Sequence, residues 1–180
     1  VGFPLLAVLF YLALGRPDLP DAPLAARLAG PVENLPPDAV RARLEAELRA
    51  RPNDAQGWRL LARLRQGVGD HAKAADAWQR LIALGKDDTQ VDTEALTGLA
   101  VALIEQDGGV VSSAAFDLLE RVRAVAPENL QAGFWYAIAL RQQGAREEAR
   151  AAFIALRAGL PDGLPLAAML EREIEALNIE

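Results

Sequence analysis

The chain has 180 residues, a net charge of −6, 52% hydrophobic residues and no cysteine. That length holds about one ordinary domain plus an appendage. The missing cysteines exclude disulfides, thiolate metal sites and covalent haem attachment within the chain, and a negative charge without a basic cluster argues against a nucleic-acid partner.

Alanine and leucine dominate the apolar residues, and both favour helices, so an all-α fold is expected. His71 is the only histidine. A catalytic triad or a His-rich metal site would rest on it alone, and it reads instead as a surface or inter-helix residue. No phosphate-binding glycine loop, nucleophile elbow or zinc-ligand spacing occurs, so neither an enzyme nor a cofactor is expected.

Taken in chain order, Val1 to Leu14 carries no charged side chain and is closed by Gly15, Arg16 and Pro17. The chain begins at Val1, and a fragment or processed product is expected. Three readings fit the run: part of a transmembrane helix, the apolar region of a secretory signal, or a buried core helix. The first is expected over residues 1–16, although the run is shorter than the roughly 20 residues a helix needs to cross a bilayer. Tyr11 and Arg16 suit the interface. Residues 17–37 carry prolines at 17, 20, 23, 31, 36 and 37 and predict a semi-stiff linker.

From Asp38 helical periodicity begins, with Asp38 as the expected cap of AVRARLEAELRA and Leu44 and Leu48 on one face. Pro52 stops this helix, and Asn53-Asp54 restart the next. An internal comparison then gives the strongest signal. Pro52 and Pro127, Gly69 and Gly144, Ala74 and Ala149, Trp78 and Phe153, and Leu81 and Leu156 are all 75 residues apart. That offset is two repeats of 34 plus seven. The extra residues are expected in the turn Glu105–Ser113 of the middle unit, where Gly108-Gly109 reads as a long turn or a binding loop.

Each unit resembles the tetratricopeptide repeat (TPR). Unit one runs from Ala55 to about Asp88, with Trp58, Leu61, Ala62, Gly69, Ala74 and Trp78 at the repeat's positions 4, 7, 8, 15, 20 and 24. Unit three, Leu130 to Pro161, has Tyr136, Ala137, Gly144, Ala149 and Phe153. Unit two, about Thr93 to Pro127, is degenerate, with Leu99-Ala100 and then Ala115 and Leu119. Small residues let paired helices approach, the aromatic fills the space between units, and glycine closes the first helix in a left-handed turn. Trp58, Trp78, Trp135, Tyr136 and Phe153 are expected in the core. No unit buries its face alone, so a stacked solenoid is predicted over residues 38–180. The helix from Asp38 and the last helix, Leu166 to Leu177, would cap its ends.

Such arrays turn the inner face of each first helix into a concave groove. The residues placed there are Gln56, Arg59, Arg63 and Gln66 in unit one. Glu94, Thr97, Val101, Ile104 and Glu105 follow in unit two, and Gln131, Phe134, Ile138, Arg141 and Gln142 in unit three. The expected groove is basic at one end and apolar in the middle, suited to an amphipathic helix or an acidic peptide. The competing reading of each charge is a solvated helix face.

A more specific resemblance covers nearly the whole chain. Tyr11, Gly15, Pro17, Pro20, Pro23-Leu24 and Arg27 resemble the segment leaving the second membrane helix of a bacterial family. Pro52-Asn53-Asp54, Gly57-Trp58, Leu60-Leu61 and Arg63 resemble the opening of that family's repeat domain, and Gly108-Gly109, Val111, Ala126-Pro127 and Asn129 continue the match. The family is the TPR subunit of the cytochrome c maturation (Ccm) system, the apocytochrome c chaperone of the CycH type. The resemblance implies a chain in the bacterial inner membrane with its repeats in the periplasm. It implies that the groove holds the C-terminal helix of an apocytochrome c for delivery to the membrane subunits of the haem ligation complex. A scaffold for another periplasmic or membrane assembly is the alternative.

Overall fold

A computed structural model describes residues 36–85 and 92–179. Among them are eight helices and no strand: α1 (Pro37–Ala50), α2 (Ala55–Gly67), α3 (His71–Leu84), α4 (Thr93–Gln106), α5 (Ser113–Val125), α6 (Leu130–Gln142), α7 (Arg146–Ala158) and α8 (Pro165–Ile179). The chain divides into two units, Val1–Ala46 and Glu47–Glu180. The expected membrane helix and all but the end of the expected linker lie outside the described residues. No described helix is long and apolar enough to cross a membrane.

The described part of the first unit is the start of α1, and it corrects two expectations. Pro37, placed at the end of the linker, is already helical. It stands at the first helical position, where the missing N–H costs nothing. The Pro36 carbonyl accepts from the Ala39 and Val40 amides at 2.9 and 3.1 Å. Asp38 is therefore in the first turn rather than the cap, and its carboxylate pairs with Arg41.

In the second unit, α2 to α7 form three helical hairpins, and α8 packs on α7. The first helix of each hairpin is started by an Asx side chain that accepts from a first-turn amide: Asp54 from Gly57, Asp92 from Ala95, Asn129 from Ala132. α2 and α6 end alike. Gly69 (φ +75°) and Gly144 (φ +82°) take the left-handed conformation that side chains resist. The next amides, of Asp70 and Ala145, then reach back to the Arg65 and Leu140 carbonyls, both at 2.9 Å.

The core follows the repeat register. Ala74, Trp78 and Leu81 of α3, Ala115, Leu119 and Val122 of α5, and Ala149 and Phe153 of α7 are buried. The middle hairpin is thus complete, with Leu119 at the aromatic position, while Phe116 stacks on Tyr136 at 5.2 Å. Trp58, Trp135 and Tyr136 are half-buried rather than fully internal.

The seven extra residues divide between two places. Ala62 to Ala74 and Ala137 to Ala149 each span twelve residues, but Ala100 to Ala115 spans fifteen. The middle turn therefore holds three of them. The other four lie between α3 and α4, since Ala74 to Ala100 spans twenty-six residues against twenty-two from Ala115 to Ala137.

The last helix is less detached than an outer cap. Ala167 and Leu170 are buried, and Glu173 and Glu171 pair with Arg141 and Arg157.

Candidate peptide-binding groove

Asp92 ties helix geometry to the groove. One oxygen caps α4 through the Ala95 amide at 2.9 Å, and the other takes the Arg59 guanidinium at 2.5 Å. Arg59 Nε also lies 3.4 Å from Glu94, and Arg63 Nε donates to Glu94 at 2.6 Å. Gln66 donates to the Gly98 carbonyl at 3.3 Å and accepts from the Trp78 indole at 2.8 Å. Thr97 donates to the Thr93 carbonyl at 2.7 Å and accepts from Asn129 at 3.3 Å. Neighbouring repeats are stitched side by side by polar side chains, each fixed by a defined partner.

These residues enclose an open depression of about 290 Å³ between α2, α4 and α6. Arg63, Gln66, Thr97 and Gln131 of the predicted set line it, as does Glu94. Thr93, Asn129 and the edge of Trp78, beside Gly98, complete the lining and lie outside the predicted set. A side chain at 98 would meet the indole, which makes an interior helix glycine the sequence signal for that close approach. Arg63 and Glu94 remain well exposed despite their pairing, at 60% and 42% of the side chain. Both charges can exchange partners with a bound segment.

The rest of the predicted set lies elsewhere. Val101 and Ile138 are buried at 4% and 6%, and Ile104 is fully buried. Ile104 packs with Leu96, Leu119 and Val122, and Ile138 with Phe153 and Leu170. The apolar middle expected of the groove is therefore core, and the groove wall is polar. Phe134, expected on the surface, is half-buried, packing edge-on to Trp135 at 5.5 Å and against the cluster of Phe153 and Leu170. Arg141 pairs with Glu173 of α8. Gln56 is exposed, and its carbonyl accepts from Arg59 at 3.1 Å.

Gln142 holds the glycine turn, accepting from the Val111 amide at 2.9 Å and donating to the Gly109 carbonyl at 2.8 Å. The turn inside the middle hairpin is thus clamped to the next repeat. His71 Nδ1 lies 2.8 Å from Glu105, joining α3 to α4. No group of three or more His, Cys, Asp or Glu suited to a metal occurs among the described residues. What the depression offers is hydrogen bonding and exchangeable charge over an indole edge.

Comparison with known proteins identifies the family and the fold. The chain is 33% identical over 175 residues to the cytochrome c-type biogenesis protein CycH of Rhizobium meliloti (strain 1021). That match covers 97% of the chain and 44% of the relative, so the chain spans less than half the relative's length. Among solved structures, MamA superposes with a TM-score of 0.60 at 19% identity, over 79% of this chain and 86% of that one. YrrB, described as a TPR protein with an unusual peptide-binding site, superposes with a TM-score of 0.60 at 16% identity, over 79% and 73%. These two likenesses establish the fold, a TPR-type solenoid. The family described as the cytochrome c-type biogenesis protein H TPR domain matches residues 39–165, and the chain belongs to that family.

Proposed function

We propose that the chain is a polypeptide-holding scaffold of cytochrome c maturation and not an enzyme. In this reading the depression between α2, α4 and α6 receives the C-terminal helix of an apocytochrome c. The chain sits in the bacterial inner membrane with its repeats in the periplasm, and hands its cargo to the membrane subunits of the haem ligation complex. Family membership supports the pathway. The peptide-binding site named for YrrB supports a polypeptide ligand on this fold.

The observation that carries the reading is the depression itself. Arg63, Glu94, Asn129 and Gln131, from three successive hairpins or their caps, surround a polar floor whose groups are already hydrogen-bonded. A wall held in place loses little entropy on binding. Its mixed charges suit the polar flank of an amphipathic helix. The test is a titration of the 180-residue chain with a fluorescent peptide of an apocytochrome c C-terminal helix, beside a scrambled peptide of the same composition. Saturable binding of the first alone is expected. Equal binding of both, or of neither, removes the reading.

A further inference from the structure

A second depression, of about 240 Å³, lies between α6 and α7 and shares no lining residue with the concave one. Pro127, Leu130, Gly133, Ala155, Leu156 and Gly159 form its apolar wall. The internal repeat explains why it is there. Seventy-five residues earlier, the counterparts of Pro127, Gly133 and Leu156 are Pro52, Trp58 and Leu81. In the first hairpin the Trp58 indole occupies this position, and its N–H donates to the Pro52 carbonyl at 2.8 Å. In the third hairpin the tryptophan is replaced by glycine. Two further wall residues also shrink, with Arg80 matched by Ala155 and Leu84 by Gly159. The volume lies below the roughly 300–1,000 Å³ of pockets that take a whole small molecule. It suits one large side chain.

Charge points to what that side chain belongs to. Arg123 and Glu128 also line the depression. The Arg123 guanidinium lies 3.7 Å over the Tyr136 ring and has no carboxylate partner among the described residues. An unpaired cation beside an apolar hole fits an aromatic residue that carries a carboxylate next to it.

We propose that the depression beside Gly133 and Leu156 is a second peptide-docking site, taking a tryptophan-class side chain of a partner polypeptide whose neighbouring carboxylate meets Arg123. The site is independent of the concave depression, and it stands whether or not that depression holds an apocytochrome.

The test holds the 180-residue chain in lipid nanodiscs, methyl-labelled at alanine and leucine, and follows it by NMR. N-acetyl-tryptophan supplies the indole with a carboxylate, and N-acetyl-tryptophanamide supplies the ring alone. The Leu130, Ala152, Ala155 and Leu156 methyls shift and saturate with the acid. The amide binds about threefold more weakly, as expected for one exposed charge pair, and Arg123→Gln removes that difference.

Gly133→Trp closes the hole from within. Its Cβ would stand 2.6 Å from Leu156 Cδ2, so Leu156 must give way. Ala155→Arg, at an exposed position, closes the hole from outside with the residue the first hairpin carries. Each variant keeps the wild-type helical content and lowers acid binding about tenfold or more. Shifts spread equally over α2 to α4, no saturable shift at all, or undiminished binding to Ala155→Arg overturns the proposal. So do the same shifts appearing on concentrating the chain alone, which would make the occupant a second copy.

Discussion

Replacing Gly98 by alanine separates this packing from ordinary helix behaviour. In a helix interior alanine is worth about 1 kcal/mol over glycine, so the exchange normally stabilises. Here a Cβ at 98 would stand 2.3 Å from Trp78 Cε2, 2.6 Å from Cζ2 and 2.7 Å from Nε1. Carbon atoms rest at about 3.5–4.0 Å, so the indole has to move by about 1 Å. Trp78 is 2% exposed, and its N–H bond to Gln66 is lost or stretched by that movement. Overpacking of this kind costs about 1–3 kcal/mol, and the hydrogen bond about 1 kcal/mol more. Net destabilisation by about 1–3 kcal/mol follows once the helix gain is subtracted.

Gly67→Ala is the control, because a Cβ there meets nothing within 4 Å. It is expected to leave stability unchanged or raise it by up to about 1 kcal/mol. Urea unfolding of both variants, followed by far-UV circular dichroism, reads the difference. Adding Trp78→Leu to Gly98→Ala should erase most of the penalty in a double-mutant cycle. If Gly98→Ala stabilises as much as Gly67→Ala, the indole does not lie over Gly98 and the register of α3 against α4 is wrong.

Other outcomes follow from the same packing. Ile104→Ala, at a fully buried site, should cost about 2–5 kcal/mol in urea unfolding, whereas exposed Gln131→Ala should stay within about 0.5 kcal/mol while weakening peptide binding. Gly144→Ala, at φ +82°, should cost about 1–2 kcal/mol in the same assay. Burial works to raise the Asp70 carboxyl, but the hydrogen bond and charge of Lys73, with the charge of Arg65, outweigh it and hold the group below its ordinary value of 3.8. A depressed folded value means that the stabilisation is complete above the unfolded value and fades as pH falls through the folded one. Asp70→Asn should therefore flatten part of the loss of melting temperature expected as pH falls below 3.8.

What the sequence made legible was whatever depends on near neighbours along the chain. Gly69 and Gly144 marked left-handed turns, Asp54 marked a helix start, and the small residues at 62, 74, 137 and 149 marked close helix approach. Groove exposure was harder to read, because it depends on what covers a helix from both sides. Val101 and Ile104 fall on the groove face by position, yet α4 lies between the other hairpins and is buried at every residue from Ala95 to Ala102. A helix apolar on every face is a buried helix, and TEALTGLAVALIEQ carried that signal. Phe134 was misplaced for a related reason, since the cluster it joins is completed by Leu166, Leu170 and Ile174 of α8. The groove position of Asn129 was not legible because its side-chain carbonyl oxygen caps α6, and its second role depends on Thr97, 32 residues away.

The central claim is that the face shared by α2, α4 and α6 holds the polypeptide. Its most direct test places a photo-crosslinking residue at Gln131, and in a parallel variant at exposed Ile154 of α7, and irradiates each with an apocytochrome c C-terminal helix peptide. The account predicts capture from position 131, competed away by unlabelled peptide, and background capture from 154. Equal capture from both positions, or capture from 154 alone, would contradict it.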